Sequence, residues 1–80
     1  MRLPRDVSAD RLIHSLKSLE YEPTRQAGSH IRLTTPLDGT HHITIPRHDP
    51  LKLGTLAAVL DDIARHHKMK RDDLLAVLKL

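Results

Sequence analysis

The 80 residues include no cysteine, no tryptophan and no phenylalanine, and Tyr21 is the single tyrosine. Without cysteine there are no disulfides, no thiolate nucleophile and no thiolate metal site, which agrees with a reducing compartment. No segment approaches the roughly 20 apolar residues of a membrane span. The N-terminal stretch MRLPRDVSAD has no apolar core of the kind a secretory leader needs. A cytoplasmic protein with no membrane partner is the expectation. The near-absence of aromatics removes the platforms on which single-stranded bases stack, leaving partners recognised by backbone and shape. At this length residues 1–80 make a single domain with a modest core.

What is abundant is charge, with a slight bias. Thirteen Lys and Arg against ten Asp and Glu give a formal +3, and there are seven histidines. Such an excess permits nucleic-acid binding without demanding it. Its distribution is more telling. Arg25, Arg32, Arg47 and Lys52 occupy the middle of the chain, where only Asp38 and Asp49 oppose them. Asp6, Asp10, Asp61, Asp62, Asp72 and Asp73 fall instead in the parts that read as helical. If the middle forms a sheet, one of its surfaces or edges is basic.

Hydrophobic periodicity supports that division. Ser8 reads as an N-cap and Leu12, Ile13, Leu16 and Leu19 recur at helical spacing, predicting a helix over about Ala9 to Leu19. Three short strands follow. The first covers about Tyr21 to Gln26, where Pro23 marks an edge strand or an irregular start. The second, His30 to Thr35, and the third, His41 to Pro46, both alternate strictly. Asp38-Gly39 between them is a hairpin signal. Arg32, Thr34, His42 and Thr44 belong on one polar face, and His30 shares their parity. A second helix opens at Gly54-Thr55, with Leu56, Leu60, Ile63 and His67 on one stripe. A short third helix carries Leu74, Leu75, Val77 and Leu78. The first two helices can cover the apolar sheet face, and core packing is the expected role of the third. The expected architecture is a two-layer α+β sandwich of α-β-β-β-α order with an extra short C-terminal helix. That order is also the order of the double-stranded RNA-binding domain, although order alone says little about function.

Gly28-Ser29-His30 is the most suggestive tripeptide. Glycine permits a sharp turn, and the histidine after it sits at a strand edge. Histidine can both take and give a proton near neutral pH. The ordinary reading is a turn entering a strand. His48 reads as a second proton donor, an RNA contact or a structural element of its loop, the last being the default. Adjacent pairs cannot easily share a metal: His41 and His42 point to opposite sheet faces, and His66-His67 has no histidine three or four residues away. No H-E-x-x-H occurs, so no metal or other cofactor is expected. His67 reads as a partly buried helix-end residue, and the Asp61-Asp62 pair as a solvated face. A Ser29 nucleophile is set aside, because adjacent residues on extended chain point apart and no acid is spaced to orient the histidine.

Several pieces fall in one register: the first helix; Arg25-Gln26-Ala27-Gly28-Ser29-His30; the Asp-Gly hairpin; Thr44-Ile45-Pro46-Arg47-His48; and Leu53-Gly54-Thr55-Leu56-Ala57-Ala58-Val59-Leu60. Over about Ser8 to His67 the chain resembles the HicA (YcfA-like) mRNA interferase toxins. The resemblance implies a small ribonuclease toxin of a type II toxin–antitoxin system, with a double-stranded-RNA-binding-like fold. It places the catalytic histidine at His30. It further implies metal-independent mRNA cleavage and neutralisation by a HicB-type antitoxin that covers the site. Glu20-Tyr21 replaces the family's glycine-aromatic pair, and Ala27 replaces a frequent lysine, removing a cation beside His30. The segment from about 70 to 80 is a C-terminal extension.

The chemistry such a site needs is spare. RNA cleaves itself when its 2′-hydroxyl is deprotonated and attacks the adjacent phosphate, so a base, an acid and a cation suffice. His30 is placed for base or acid. Arg25, Arg32 or Lys52 can hold the phosphate, with Arg47 and His48 in the neighbouring loop. The Gly28 and Ser29 N–H groups and the Ser29 hydroxyl can bind a phosphate oxygen. A non-catalytic RNA-binding module of the same fold, or a protein-interaction subunit, remains the alternative.

Overall fold

A computed structural model of the chain describes residues 3–80; Met1 and Arg2, the start of the N-terminal decapeptide, lie outside it. Helix α1 runs Ala9–Ser15 and continues as a 3-10 turn, Leu16–Leu19. The predicted N-cap is present: Ser8 Oγ accepts the Arg11 backbone N–H at 3.0 Å. Glu20, at φ +63°, ends the turn in left-handed backbone. Strands β1 (Glu22–Ala27), β2 (His30–Thr35) and β3 (His41–Pro46) form one antiparallel sheet in that order. Helices α2 (Leu53–His66) and α3 (Arg71–Leu78) follow. This is the expected α-β-β-β-α sandwich of the double-stranded-RNA-binding type, with a further C-terminal helix.

β2 and β3 have the boundaries that alternation dictates. Ile31, Leu33, Ile43 and Ile45 point inward, while His30, His42 and Thr44 are exposed on the other face. β1 starts one residue later than expected, at Glu22, and its register slips between Pro23 and Arg25. Proline cannot donate to the ladder, so it is tolerated at this edge, where the extra residue, Thr24, forms a bulge. The whole of β1 is exposed, so the helices cover β2 and β3 and leave the β1 arm in solvent.

The core joins all three helices to the sheet. Leu12, Leu16, Leu33, Ile45, Leu56, Leu60, Ile63 and Leu74 are completely or almost completely buried. Thr35 has the inward parity of Ile31 and Leu33, and is satisfied there: its hydroxyl donates to Leu19 O at 2.7 Å and accepts the Leu37 N–H at 3.1 Å. Two details correct the sequence reading. α2 begins at Leu53 rather than at Gly54-Thr55. In α3, Leu74, Leu75 and Leu78 are buried but Val77 is exposed. Among the described residues no helix is long and apolar enough to cross a membrane.

Candidate functional site

His30 stands at the first position of β2, paired with Ala27 across one ladder and Pro46 across the other. Two residues, Gly28 and Ser29, connect β1 to β2. Gly28 has φ +58°, and a Cβ built there meets nothing within 4 Å. The requirement for glycine is therefore conformational, set by the tight hairpin and not by crowding. The turn is anchored from the far side: the Arg47 N–H donates to Ser29 O at 2.6 Å. Gln26 Nε2 donates to Gly28 O at 3.3 Å. The N–H groups of Gly28 and Ser29 have no acceptor among the described residues. The His30 imidazole likewise has no hydrogen-bond partner among them, and the residue is exposed. Both ring nitrogens are open to a ligand.

The surroundings divide into groups the fold brings to this end and groups it occupies elsewhere. Arg25 and Arg32 are cross-strand partners on the same polar face as His30, which puts two arginines side by side on that face. Arg47 follows directly on Pro46, the β3 partner of His30, but its guanidinium is engaged: Nε and Nη2 donate to Asp10 Oδ1 at 3.3 and 3.1 Å. This pair ties the β3–α2 loop to α1. His48 serves its loop through the main chain, donating from its N–H to Pro46 O at 2.9 Å and accepting the Ala9 N–H at 3.0 Å. Its side chain is exposed, as is that of Lys52, the N-cap residue of α2. The β1–β2 turn, the β3–α2 loop and the start of α1 thus meet at one end of the sheet.

A second polar cluster lies at the opposite end, with Tyr21 and His67 buried and the Asp38 and Asp62 carboxylates at its solvent edge, and its pairings are not legible in the sequence. Asp38 Oδ2 accepts from His67 Nδ1 at 2.8 Å, and Asp62 Oδ1 accepts from His41 Nε2 at 3.2 Å. Between the two imidazoles sits the Tyr21 hydroxyl, 3.0 Å from His67 Nε2 and 2.7 Å from His41 Nδ1. His66 stacks on His41 with ring centroids 4.3 Å apart, and its Nε2–H donates to Leu37 O and Gly39 O at 3.0 and 2.9 Å. The cluster fastens the end of α2 to the β2–β3 hairpin, where Asp38 itself adopts φ +58°. Asp61 and Asp62 keep about half of their side-chain surface in solvent but are also paired: Asp61 accepts a bidentate contact from Arg71 at 2.7 and 2.8 Å, holding α3 to α2. One signal was available. His41 shares the parity of Ile43 and Ile45, and His67 shares the stripe of Leu60 and Ile63. Polar groups on a buried face must find each other.

The phenol has one proton for two ring nitrogens. Since the carboxylates accept at the outer ends, the Tyr21 hydroxyl is left between the two inner nitrogens, and its one proton serves one of them at a time. Burial first, and the Asp62 charge second, push the Tyr21 hydroxyl well above the usual tyrosine range, keeping it protonated. Tyr21→Phe keeps the ring volume but leaves both inner nitrogens facing carbon. An unmade buried hydrogen bond costs about 1–3 kcal/mol, so a lower urea midpoint with an unchanged slope is expected. A midpoint equal to wild type would show that the bridge adds nothing. No group of three or more His, Cys, Asp or Glu among the described residues is arranged to hold a metal.

Neither a curated protein nor a solved structure matches the chain. A family model described as the HicA toxin of bacterial toxin–antitoxin systems matches residues 9–64, from the first residue of α1 to near the end of α2, and includes the hairpin that carries His30. With most of its length inside that match and the α-β-β-β-α architecture around it, the chain belongs to the HicA toxin family.

Proposed function

We propose that this toxin acts as a metal-independent endoribonuclease on mRNA, with His30 as the proton-transfer group, and that a HicB-type antitoxin neutralises it by covering the His30 face. The observation that carries the reading is the state of His30: an exposed imidazole with both nitrogens unpartnered among the described residues, close after a glycine-dependent turn. Other histidines of the chain have structural partners, notably His41, His66 and His67. A ring meant to brace the fold is expected to be tied in as they are.

The chemistry follows from the groups at hand. His30 removes the 2′-hydroxyl proton as that oxygen bonds to the adjacent phosphorus, and the bond to the 5′-oxygen breaks. The leaving oxygen takes a proton from an acid, from His30 itself in its other role, or from water. The products are a 2′,3′-cyclic phosphate and a 5′-hydroxyl. Arg25 and Arg32 offset the charge building on the phosphate, and the Gly28 and Ser29 N–H groups can receive one of its oxygens. Lys52 extends the cationic rim, and the exposed His48 ring stands beside it. Arg47 joins them only by leaving Asp10. No aromatic platform is present on this face, so recognition rests on the RNA backbone.

The direct test is inducible expression of wild type and His30→Ala, with mRNA integrity and growth as readouts, beside metal-free incubation of purified protein with RNA. Transcript loss and growth arrest for wild type only are expected. RNA shifted in a gel with no products would favour a non-catalytic RNA-binding module.

A further inference from the structure

The exposed sheet face carries a second ordered imidazole. His42 lies opposite Thr34 in the β2–β3 register, and Thr34 Oγ1 is 2.8 Å from His42 Nδ1. On the other side, Thr34 Oγ1 is 2.9 Å from Thr24 Oγ1, and the Thr24 hydroxyl reaches Arg32 O at 3.4 Å. Thr24 is the extra residue at the β1 slip between Pro23 and Arg25. Bulges re-aim side chains, and this one brings a hydroxyl from the edge strand across to the central strand. Three strands thereby contribute to one row: Thr24, Thr34, His42.

The row fixes what His42 offers outward. Its Nδ1 is occupied by Thr34, so Nε2 is the atom presented to solvent. When the ring is protonated, Nδ1–H donates to Thr34, Thr34 to Thr24, and Thr24 to Arg32 O. Every donor has an acceptor, and Nε2–H points out. When the ring is neutral and accepts from Thr34, Nε2 again bears the hydrogen. Only the remaining tautomer presents a lone pair. A ligand that is a pure acceptor and anionic is favoured by two of the three states. The same face holds Arg25, Arg32 and His30, with Glu22, opposite Thr34, as its carboxylate.

We infer that His42, aligned by Thr34 and Thr24, is a phosphodiester contact for the RNA strand as it leaves His30 across the sheet. This rests on the proposed RNA-cleaving function and extends its site. From His30 to Thr34 is four residues of β2, about 13 Å at strand rise, a span of a few nucleotides. His42 is therefore a binding residue distant from the bond that breaks, and Thr34 and Thr24 are positioning residues acting through it.

The test uses the His30→Ala protein, which leaves RNA uncut, and a labelled RNA hairpin with a single-stranded flank. Adding His42→Ala is expected to weaken binding about 3- to 10-fold, the net worth of one typical solvent-exposed hydrogen bond, with an unchanged thermal midpoint. Thr34→Val, which keeps the imidazole and its volume but removes its partner, gives a smaller loss that Thr34→Ser restores. Equal RNA affinity with and without His42 overturns the inference and leaves the nuclease reading intact. Loss at His42→Ala with none at Thr34→Val overturns the aligned row. A wild-type protein that neither binds nor cuts RNA overturns the functional reading, and this inference with it.

Discussion

A His30→Ala protein is expected to unfold at the wild-type midpoint and to leave RNA intact. The structural half of that expectation comes from exposure: the ring has no hydrogen-bond partner among the described residues and lies outside the core. Surface substitutions of this kind shift stability by less than about 0.5 kcal/mol. The chemical half comes from the scale of acid–base catalysis, about 10²–10⁴-fold for a well-placed proton-transfer group. Losing that factor from an already slow one-histidine nuclease takes cleavage below detection over a growth experiment. His30→Gln, which retains hydrogen-bonding atoms but cannot shuttle a proton at neutral pH, is expected to behave as alanine does in cleavage while binding RNA more nearly as wild type. A folded His30→Ala protein that still releases cyclic phosphate would remove His30 from the mechanism and move attention to His48.

Truncation after Lys70 is expected to abolish the folded state, although the family match ends before α3 begins. Three side chains carry the argument. Leu74, Leu75 and Leu78 are between 0 and 3 % exposed, and the helix packs on both α2 and the 3-10 turn. Replacing one such leucine by alanine costs about 2–5 kcal/mol through lost transfer energy and the cavity left behind. Whole domains are stable by only about 5–15 kcal/mol, and a chain of this size sits at the low end. Leu74→Ala alone should therefore lower the urea midpoint strongly, and removal of all three should give an unfolded circular dichroism spectrum. A truncated protein with a cooperative unfolding transition would show that α3 is an appendage. Arg71 adds a smaller contribution through its bidentate contact with Asp61. That pair is partly exposed and is worth at most about 1 kcal/mol.

The parts of the fold that could be read in advance are those whose signals are local. β2 and β3 keep strict alternation over six residues each and have the boundaries that alternation dictates. Ser8 caps α1 as its type and position require. The end of α1 drifts into a 3-10 turn, and β1 begins late, because Glu22-Pro23-Thr24 must accommodate a proline and a bulge at the sheet edge. At the site, the turn and the exposure of His30 follow from Gly28 and from parity. The occupation of Arg47 by Asp10 does not, since the partners are 37 residues apart.

The sequence by itself determined the sheet with one apolar and one basic face, the place of His30 at the rim of that face, and the family register around it. Each depends on spacing of a few residues, which backbone geometry translates directly into orientation. Only the tertiary structure decided which polar groups are committed and which are open. It joined Tyr21 to His41 and His67 across 20 and 46 residues, locked Arg47 onto Asp10, drew α3 into the core and aligned His42 through two threonines. Those outcomes depend on which surfaces are brought within hydrogen-bond distance when the helices close on the sheet, a long-range condition that no local pattern encodes.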